Sequence, residues 1–444
     1  MQIPILSNTR REFLGATAAL AGSSALYAAK PGREVGANDK INIGMIGVGT
    51  RGFGHVRTLK KQMDEGANFQ IVAVSDVYKM RRDRARDYLK LDEKDLLLEY
   101  KDLLARPDVD AVFIATPDHW HFRMAMDALA AGKDVYLEKP MSYTIEEARV
   151  LAGEVKKSGR MMQIGSQYAS EPIYHKAREL MQDNIIGKPL LIQGTYSRNT
   201  LHGEWDYHVD AEGTPETIDW KRFLGNAPKR GFNADRFFRW RKYWDYSGGI
   251  STDLLYHRLT PFMYVMGPQF PTRVSASGGI YVHKDREVPD TISTTVEYRD
   301  FTVVMTSSMA SDAVNRLVPP AILGHEGVME FRSSKELVIT PEELFAKEFK
   351  AKHGVTQLKI PIETRNFALD HILDFLSSVR TRKQPVLDAD YGYRVMVAIG
   401  LGVESYREGK QMIWDAKLEK PAKVAPKRDT YDGDGKNTEE SVTP

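Results

Sequence analysis

Two short stretches of the sequence carry side chains that could act on a hydroxyl group. Lys139 follows the apolar run DVYLE, and the stretch WDYSGGISTDLLYHRL places Asp253 and His257 four residues apart. On a helix, that spacing puts both side chains on one face. A lysine can hydrogen-bond a hydroxyl and favour its ionisation, a histidine can accept its proton near neutral pH, and an aspartate can orient the histidine or bind another hydroxyl. Together they predict proton transfer at an alcohol, although each taken alone could be a core or surface residue.

A glycine-rich turn lies near the start of the folded part of the chain. The stretch IGVGTRGFG holds Gly47, Gly49 and Gly52 in the G-x-G-x-x-G frame, after an apolar run and before a helical pattern. The first glycine permits a tight turn, the second lets the backbone approach a pyrophosphate, and the third lets strand and helix pack closely. The positive end of the following helix attracts phosphates. The turn, with Thr50 and Arg51 beside it, therefore predicts a dinucleotide site.

The acidic residue that ends the second predicted strand indicates which dinucleotide binds. The carboxylate of Asp76 could accept hydrogen bonds from an adenosine ribose and would repel a 2′-phosphate, so NAD is expected rather than NADP. Three basic side chains lie nearby, Lys79, Arg81 and Arg82. They would favour NADP, unless they only form the solvated start of a helix.

The stretch ATPDHWHF ends a further predicted strand, on the sheet edge where such folds bind ligands. Thr116 and Pro117 would form a wall near the nicotinamide ribose, and His121 is a further expected cofactor contact. Trp120 could stack on a sugar or simply pack. His119 and His121 are two residues apart, but no carboxylate or further histidine stands at a ligand spacing, so no metal site is expected.

The region from Thr195 to Tyr246 is rich in tryptophan, tyrosine, histidine and arginine. Aromatic faces beside hydrogen-bonding groups suit carbohydrates, although half or more of such residues usually serve packing. The expected substrate contacts, taken from this region and from the neighbouring motifs, are Trp120, Gln167, Arg236, Trp240, Tyr243 and His257.

The order of apolar and amphipathic segments indicates what positions these residues. Over residues 38–166, short apolar runs alternate with helical patterns, which predicts a Rossmann domain of parallel strands joined by crossover helices. Over residues 167–418, alternating and β-branched runs predict an α+β domain with an open, mostly antiparallel sheet. The fold class is therefore α/β with two domains. Closing helices within residues 367–407 could pack on either domain, and a charged tail is expected at 419–444.

Composition narrows the classes of partner. Lys and Arg number 62 against 60 for Asp and Glu, so no global field would attract nucleic acid or an anionic membrane, and a small molecule is the expected partner. The sequence contains no cysteine, which excludes disulfides, thiolate metal sites and a cysteine nucleophile.

The N-terminal stretch NTRREFLGATAALAG combines an arginine pair, Phe-Leu and a small-residue apolar run, as bacterial twin-arginine export signals do. Residues 1–37 are therefore expected to form a signal and linker, and the mature protein is expected in the periplasm, with no membrane contact after export. That pathway carries folded proteins, and only a folded domain assembles a dinucleotide site. Because NAD is scarce outside the cytoplasm, the signal also predicts a tightly held nucleotide.

These motifs, in this order, resemble the Gfo/Idh/MocA oxidoreductases, the family of glucose-fructose oxidoreductase and inositol dehydrogenase. The resemblance covers most of residues 41–415 and rests on GVGTRG, VSD, ATPDHWH, EKP, the GG-to-D-to-H element and the closing FLSSVRTRKQPVLDADYGYR. In the scheme that it implies, His257 accepts the alcohol proton, a hydride passes from the substrate carbon to NAD, Lys139 polarises the oxygen, and Asp253 holds histidine and substrate. Glu138 and Lys139 of EKP join the expected cofactor contacts. The resemblance also implies a homo-oligomer, a dimer or tetramer, assembled through the C-terminal sheet.

Three activities are compatible with this resemblance. The first is an NAD-dependent sugar or glycoside dehydrogenase, for example one that oxidises C3 to give a 3-keto sugar. The second is a redox-neutral NAD-dependent glycosidase, which oxidises transiently, eliminates the aglycone and adds water. N-acetylgalactosaminidases of that kind typically lack the EKP lysine, so the presence of Lys139 favours the dehydrogenase. A sugar- or nucleotide-binding protein without turnover is the third, and it is disfavoured because all three expected catalytic positions are filled.

Overall fold

The computed structural model describes residues 35–36 and 39–424. The predicted export signal and the part of the predicted tail beyond residue 424 lie outside the described residues. Within residues 39–424, no helix is long and apolar enough to cross a membrane.

The first domain is built on six parallel strands. Their bounds are β1 Ile41–Ile46, β2 Phe69–Ser75, β3 Leu96–Leu97, β4 Ala111–Ile114, β5 Asp134–Glu138 and β6 Met162–Gly165. Their order in the sheet is β3-β2-β1-β4-β5-β6, so the chain reverses its direction of winding between β1 and β4. Such a reversal opens a crevice at the carboxyl ends of the strands, where doubly wound sheets bind ligands.

Helices connect these strands, as the alternating pattern predicts. Their bounds are α1 Thr50–Asp64, α2 Lys79–Leu89, α3 Tyr100–Ala105, α4 Asp118–Ala130 and α5 Ile145–Ser158. Helix α4 begins at Asp118, directly after Pro117, whose backbone is extended at φ −62° and ψ 154°. Helix α5 begins with a capping box, in which Thr144 and Glu147 bond each other's backbone amides.

The second domain is built on a ten-stranded mixed sheet. Its strands are β7 Pro189–Thr195, β8 Arg273–Gly279, β9 Thr291–Glu297, β10 Thr302–Ser308, β11 Ala321–Gly324, β12 Gly327–Ser333, β13 Glu336–Pro341, β14 Leu358–Pro361, β15 Met412–Asp415 and β16 Lys420–Pro421. Their order is β14-β13-β12-β11-β7-β10-β9-β8-β15-β16, and the pairing of β7 with β10 is parallel while the other pairings are antiparallel. The predicted α/β fold with an open, mostly antiparallel second sheet is confirmed.

The helices of the second half of the chain differ widely in length. They are α6 Pro172–Gln182, α7 Trp220–Leu224, α8 Ala234–Phe238, α9 Tyr256–Met266, α10 Val314–Leu317, α11 Ala346–His353, α12 Phe367–Thr381 and α13 Ala389–Glu408. One π-helical turn, Ser251–Leu255, leads directly into α9.

The closing helix α12 belongs to the core of the first domain. Phe375 packs edge-on against Phe113 of β4 and Tyr136 of β5, with ring centroids 5.6 and 5.7 Å away. Arg382, just beyond the helix, forms an ion pair at 2.7 Å with Asp134 at the start of β5. The Rossmann domain is therefore completed by a segment from the end of the chain.

The closing helix α13 contacts both domains. A Cβ on Gly400 would lie 2.5 Å from Ile145 Cγ1 of α5, and a Cβ on Gly402 would lie 3.3 Å from Thr294 Cγ2 of β9. Because these glycines carry no side chain, the helix approaches α5 and the second sheet closely. Helix α13 therefore joins the two domains.

The predicted tail begins later than expected. Residues Lys420 and Pro421 pair with Asp415 and Trp414 as an antiparallel strand, so ordered structure extends past the predicted boundary at residue 419. The many charged residues and prolines in this stretch give no strand pattern, so the sequence does not predict the hairpin. Strand β16 pairs with β15 and is the edge strand of the sheet next to β15 and β8.

The tight contact between α1 and the glycine turn gives a test of the packing. A Cβ on Gly52 would lie 1.9 Å from the Gly47 carbonyl oxygen, and backbone cannot move aside as a flexible side chain can. We expect Gly52→Ala to lower the free energy of unfolding by about 1–3 kcal/mol, as overpacking does, measured by urea denaturation. The control is Gly153→Ala within α5, where no described atom lies within 4 Å of the added Cβ. That change should raise the free energy of unfolding by about 0.5–1 kcal/mol, and equal effects at both positions would contradict the packing argument.

Candidate active site

A cavity of about 480 Å³ lies at the carboxyl edge of the parallel sheet and is closed by the second domain. Most of the predicted site residues line it: Gly47, Gly49, Thr50, Arg51, Asp76, Thr116, Pro117, Trp120, Glu138, Lys139, Gln167, Trp240, Asp253 and His257. Four predicted residues lie outside the lining, namely Gly52, His121, Arg236 and Tyr243.

The glycine turn lines one side of the cavity with backbone atoms that no side chain covers. Gly47 has φ +80°, a conformation that L side chains rarely adopt, and a Cβ there would lie 2.7 Å from the Ala115 carbonyl oxygen. Gly52 closes the turn from behind by its contact with the Gly47 carbonyl, which explains why it is absent from the lining. The backbone at Gly47 and Gly49 is thus free to approach a phosphate group at the start of α1.

Asp76 is held beside the glycine turn by two backbone amides. Val48 N donates to Oδ2 at 2.8 Å, and Tyr78 N donates to Oδ1 at 2.9 Å. Each carboxylate oxygen keeps a lone pair for a ribose hydroxyl. Asp76 therefore lines the cavity with acceptor capacity left for the hydroxyls of an adenosine ribose.

Thr116 supplies an independent sign that a polar ligand fits this cavity. Its Oγ1 is buried and has no hydrogen-bond partner among the described residues, although Thr116 lines the cavity. A buried hydroxyl without a partner is unfavourable unless a ligand satisfies it. The glycine backbone, Asp76 and Thr116 together fit a dinucleotide.

His121 lies behind Thr116, outside the lining of the cavity. Its Nδ1 lies 2.6 Å from the Pro140 carbonyl oxygen and its Nε2 lies 2.9 Å from the Thr116 carbonyl oxygen, and the residue is buried. The structure thus places both ring nitrogens of His121 against backbone carbonyls, outside the lining of the cavity. The ring instead joins the end of β4 to the turn after Lys139.

Lys139 and Asp253 form a buried ion pair across the domain boundary. Lys139 Nζ donates to Asp253 Oδ1 at 2.6 Å and to the Asp253 carbonyl oxygen at 2.7 Å. Arg241 Nε donates to the same Oδ1 at 3.1 Å, and Trp205 Nε1 donates to Oδ2 at 2.9 Å. Burial alone would raise the pKa of Asp253, but the charges of Lys139 and Arg241 outweigh burial and hold this pKa far below its ordinary range. The ammonium of Lys139 is thus fixed beside a permanently ionised carboxylate.

His257 faces the same part of the cavity. Its Nδ1 lies 3.2 Å from Ser166 Oγ, and the Tyr168 ring packs edge-on at 5.5 Å. Burial and the charge of Lys139 lower the pKa of His257 well below 6.5, so the imidazole is neutral at neutral pH. A neutral imidazole can accept a proton.

The link between Asp253 and His257 differs from the expected one. The sequence predicts that Asp253 shares a helix face with His257 and either orients the histidine or binds another hydroxyl. In the structure Asp253 sits in the π-helical turn 251–255 and binds Lys139, Arg241 and Trp205, while Ser166 contacts the histidine. Asp253 therefore orients the lysine.

Family models match both domains. Residues 41–166 match the model of the Gfo/Idh/MocA oxidoreductase family with an NAD-binding Rossmann fold, and residues 178–413 match the model of the family's C-terminal alpha/beta domain. The chain belongs to the Gfo/Idh/MocA oxidoreductase family. The match confirms the predicted family and its NAD-binding Rossmann domain.

Individual relatives resemble parts of this Gfo/Idh/MocA protein. A glycosyl hydrolase family 109 protein of Shewanella baltica is 30% identical over 46% of this chain and 40% of its own length. Inositol 2-dehydrogenase 1 of Saccharopolyspora erythraea is 35% identical over 34% of this chain and 44% of its own length. The chain thus matches less than half of either relative. The solved structure of levoglucosan dehydrogenase in complex with NADH shares the fold, with a TM-score of 0.65, 18% identity and coverage of 84% of this chain and 98% of that one.

Glu138, the acid of the family's EKP motif, is held by α1. Arg51 Nε donates to its Oε1 at 2.7 Å, and His55 Nε2 lies 2.7 Å from the same oxygen. Burial would raise the pKa of Glu138, but the charge of Arg51 and the contact with His55 outweigh it, and the pKa lies below its ordinary range. Glu138 therefore anchors the helix of the glycine turn to the strand that carries Lys139.

Arg236 and Tyr243 lie away from the cavity. Arg236 forms ion pairs with Asp245 at 3.0 Å and Glu287 at 2.6 Å, and its guanidinium lies 4.1 Å from the centroid of the Tyr243 ring. Tyr243 donates to Asp235. The structure does not place these two predicted substrate contacts in the cavity, because both side chains make internal contacts within the tryptophan-rich region.

Sequence reasoning also missed several residues of the site. These are Ser166, Tyr196, Arg198, Trp205, Tyr207 and Arg241, of which Ser166 and Trp205 act through another side chain. Trp205 and Arg241 stand in the aromatic region that the sequence singles out, but composition alone does not separate them from their packing neighbours. Within residues 39–424, no group of three or more His, Asp or Glu side chains is placed to hold a metal ion.

The environment of His257 gives a test that does not require turnover. We expect the imidazole to stay neutral at pH 6.5 and to take up a proton only at lower pH, as followed by NMR of protein with ¹⁵N-labelled histidine. Lys139→Met should move this titration to higher pH, because the variant removes one of the charges that lower the pKa of His257. The control variant His202→Gln removes an exposed histidine, so its signal can be identified and separated from the signal of His257. A titration midpoint at or above 6.5 in the unmodified protein would contradict the structure.

Proposed function

We propose that this protein oxidises a hydroxyl group of a sugar or glycoside. The observation that carries the proposal is the convergence of the Lys139–Asp253 pair and the neutral His257 on a cavity that also contains the dinucleotide-binding turn. The similarity to an inositol dehydrogenase and to levoglucosan dehydrogenase supports a polyol or sugar as the substrate.

Different residues of the chain accept the hydroxyl proton, bind the hydroxyl oxygen and hold these groups in position. When bound, NAD supplies the acceptor for the hydride. His257 accepts the hydroxyl proton, and the ammonium of Lys139 donates a hydrogen bond to the hydroxyl oxygen and stabilises its developing negative charge. Asp253 keeps the ammonium in place, and Arg241 and Trp205 keep Asp253 in place. Because these groups are already ordered, little reorganisation is needed when the proton moves.

A second candidate is a redox-neutral, NAD-dependent glycosidase. The similarity to glycosyl hydrolase family 109 proteins favours it, and it would use the same cofactor turn. A panel of pyranosides with chromogenic aglycones separates the two activities. Net NADH formation, followed at 340 nm, indicates a dehydrogenase, whereas aglycone release without net NADH indicates the glycosidase.

Variants of the two proton-handling residues test the proposed activity. We expect Lys139→Met and His257→Ala each to reduce kcat by about 100-fold or more, because general acid–base catalysis contributes on that order. NADH binding, followed by quenching of protein fluorescence, should change little in either variant. His202→Ala is the control for loss of an imidazole at an exposed position. Unchanged turnover in both variants would disprove these roles.

We further propose that the nucleotide is tightly held and that the protein works in the periplasm after twin-arginine export. The tryptophan-rich region is fastened beside Asp76 by two backbone hydrogen bonds, Lys79 N to Thr217 O at 2.9 Å and Asp219 N to Val77 O at 3.0 Å. Arg222 adds an ion pair with Glu99 at 3.0 Å. A cofactor covered in this way dissociates slowly, and an exported enzyme needs such retention.

Nucleotide content after purification tests this retention. The native protein should keep NAD through gel filtration, measured by chromatography of the denatured supernatant. The double variant Tyr78→Phe and Arg222→Ala should lose most of it, because the hydrogen bond from Tyr78 to Asp210 at 2.7 Å and the ion pair to Glu99 are gone. The control is Tyr88→Phe with Arg332→Ala, both at exposed positions. Equal retention in the two double variants would contradict the proposal.

The ten-stranded sheet supports a proposed homo-oligomer. Along β9, the buried Ile292, Thr294 and Val296 alternate with Ser293, which is exposed, and Thr295, which is half-buried. The outward face thus presents small polar residues that a second copy of the sheet could cover. Sedimentation of the protein as a monomer at micromolar concentration would contradict this assembly.

A further inference from the structure

The half of the cavity beyond Lys139 is unusually rich in positive charge. It is lined by Lys139 and by side chains of the second domain: Tyr196, Arg198, Tyr207, Trp240, Arg241, Asp253 and His257. Three of these are cations, and Asp253 is the carboxylate among them. Because His257 is neutral at neutral pH, the lining of this half carries an excess of positive charge.

Arg241 presents unused hydrogen-bond donors to the cavity. Its Nε donates to Asp253, and its guanidinium stacks on the Trp240 ring at 4.1 Å from the centroid. Its two terminal nitrogens have no hydrogen-bond partner among the residues that the structure describes. Stacking fixes the plane of the guanidinium, so the free edge of the fork has a defined direction. Such an edge matches the two oxygens of a carboxylate or sulfate.

Arg198 lies on the same side of the cavity. One terminal nitrogen donates to Glu204 at 3.2 Å, and the other donates to the Tyr196 hydroxyl at 3.2 Å. Burial would raise the pKa of Tyr196, but the hydrogen bond from Tyr168 and the charge of Arg198 outweigh it and lower the pKa. Arg198 therefore places its positive charge beside the Tyr196 hydroxyl in the lining of the cavity.

Two further anions near this half of the cavity lie behind its wall, whereas Asp253 and Glu138 line it. Glu204 pairs with Arg198 and lies outside the lining. Asp118 is buried beneath the π-helical turn, where it accepts a hydrogen bond from Thr252 Oγ1 at 3.1 Å, and it too lies outside the lining. These carboxylates offset part of the charge without occupying the surface that a ligand would touch. The hydroxyl oxygens of a neutral sugar could also accept hydrogen bonds from Arg241, but a carboxylate or sulfate adds charge and a bidentate geometry, which makes those hydrogen bonds stronger.

We propose that the substrate is an anionic sugar, whose carboxylate or sulfate group is bound by Arg241 and Arg198 while its hydroxyl group faces Lys139 and His257. The proposal rests on the proposed sugar oxidation and narrows it to one chemical class. The charged group would select the substrate and would also fix which hydroxyl reaches His257, since two-point binding sets the orientation of the ring.

Matched pairs of glycosides test the proposal. The pairs are methyl glucoside with methyl glucuronide, methyl galactoside with methyl galacturonide, and each neutral glycoside with its 6-sulfate, so that carboxylate and sulfate are separated. Binding to the NAD-loaded protein is measured by calorimetry, and NADH formation is measured in parallel. We expect at least one anionic member to bind about tenfold or more tightly than its neutral partner, as charge-assisted hydrogen bonds to arginine contribute.

Arginine variants locate the charge recognition. Arg198→Gln and Arg241→Gln should each remove most of the preference for the anionic member, while Arg332→Gln, an exposed change on β12, should retain it. Because Arg241 also binds Asp253, its loss could act through Asp253, so the Arg198 variant is the decisive one.

Equal or tighter binding of the neutral members would overturn the inference while leaving the proposed oxidation intact. Arg198-dependent binding of an anionic glycoside without any NADH formation would support the inference and contradict the oxidation. Binding of neither class would overturn the inference.

Discussion

The ion pair between Lys139 and Asp253 is the contact on which the site depends. Lys139 ends a strand of the first domain and Asp253 belongs to a helical turn of the second, so the pair exists only when the two domains are docked. Both side chains are largely buried, and removal of one partner from such a pair typically costs about 3–5 kcal/mol because the other charge remains. The docking of α13 against both domains therefore bears directly on the chemistry.

The pair also explains the arrangement of its surroundings. Asp253 accepts hydrogen bonds from Lys139, Arg241 and Trp205, which satisfy its oxygens and keep it ionised. The positive charge of Lys139 in turn helps to keep His257 neutral. Lys139 thus favours the ionised form of Asp253 and the neutral form of His257 at the same time, together with Arg241 and burial respectively.

Much of this was predictable where a local pattern implies a local geometry. The glycine turn, Asp76 at the end of β2 and Lys139 at the end of β5 follow from the spacing of motifs around strands, because the carboxyl ends of parallel strands meet at one edge. The partners of Asp253 and His257 were not predictable in this way. Trp205 and Ser166 are distant in sequence, and the π-helical turn changes the register that an i, i+4 spacing implies. Arg236 and Tyr243 show the limit of composition, since an aromatic cluster packs on itself as readily as on a sugar.

The position of α12 has a consequence for biosynthesis. This helix, residues 367–381, contributes Phe375 and its neighbours to the core beneath β4 and β5, although those strands lie more than two hundred residues earlier in the chain. On the ribosome, the dinucleotide domain therefore lacks part of its core until residues 367–381 have been made. Loading of a nucleotide would then follow synthesis of most of the second sheet, although the nucleotide-binding turn is made long before it.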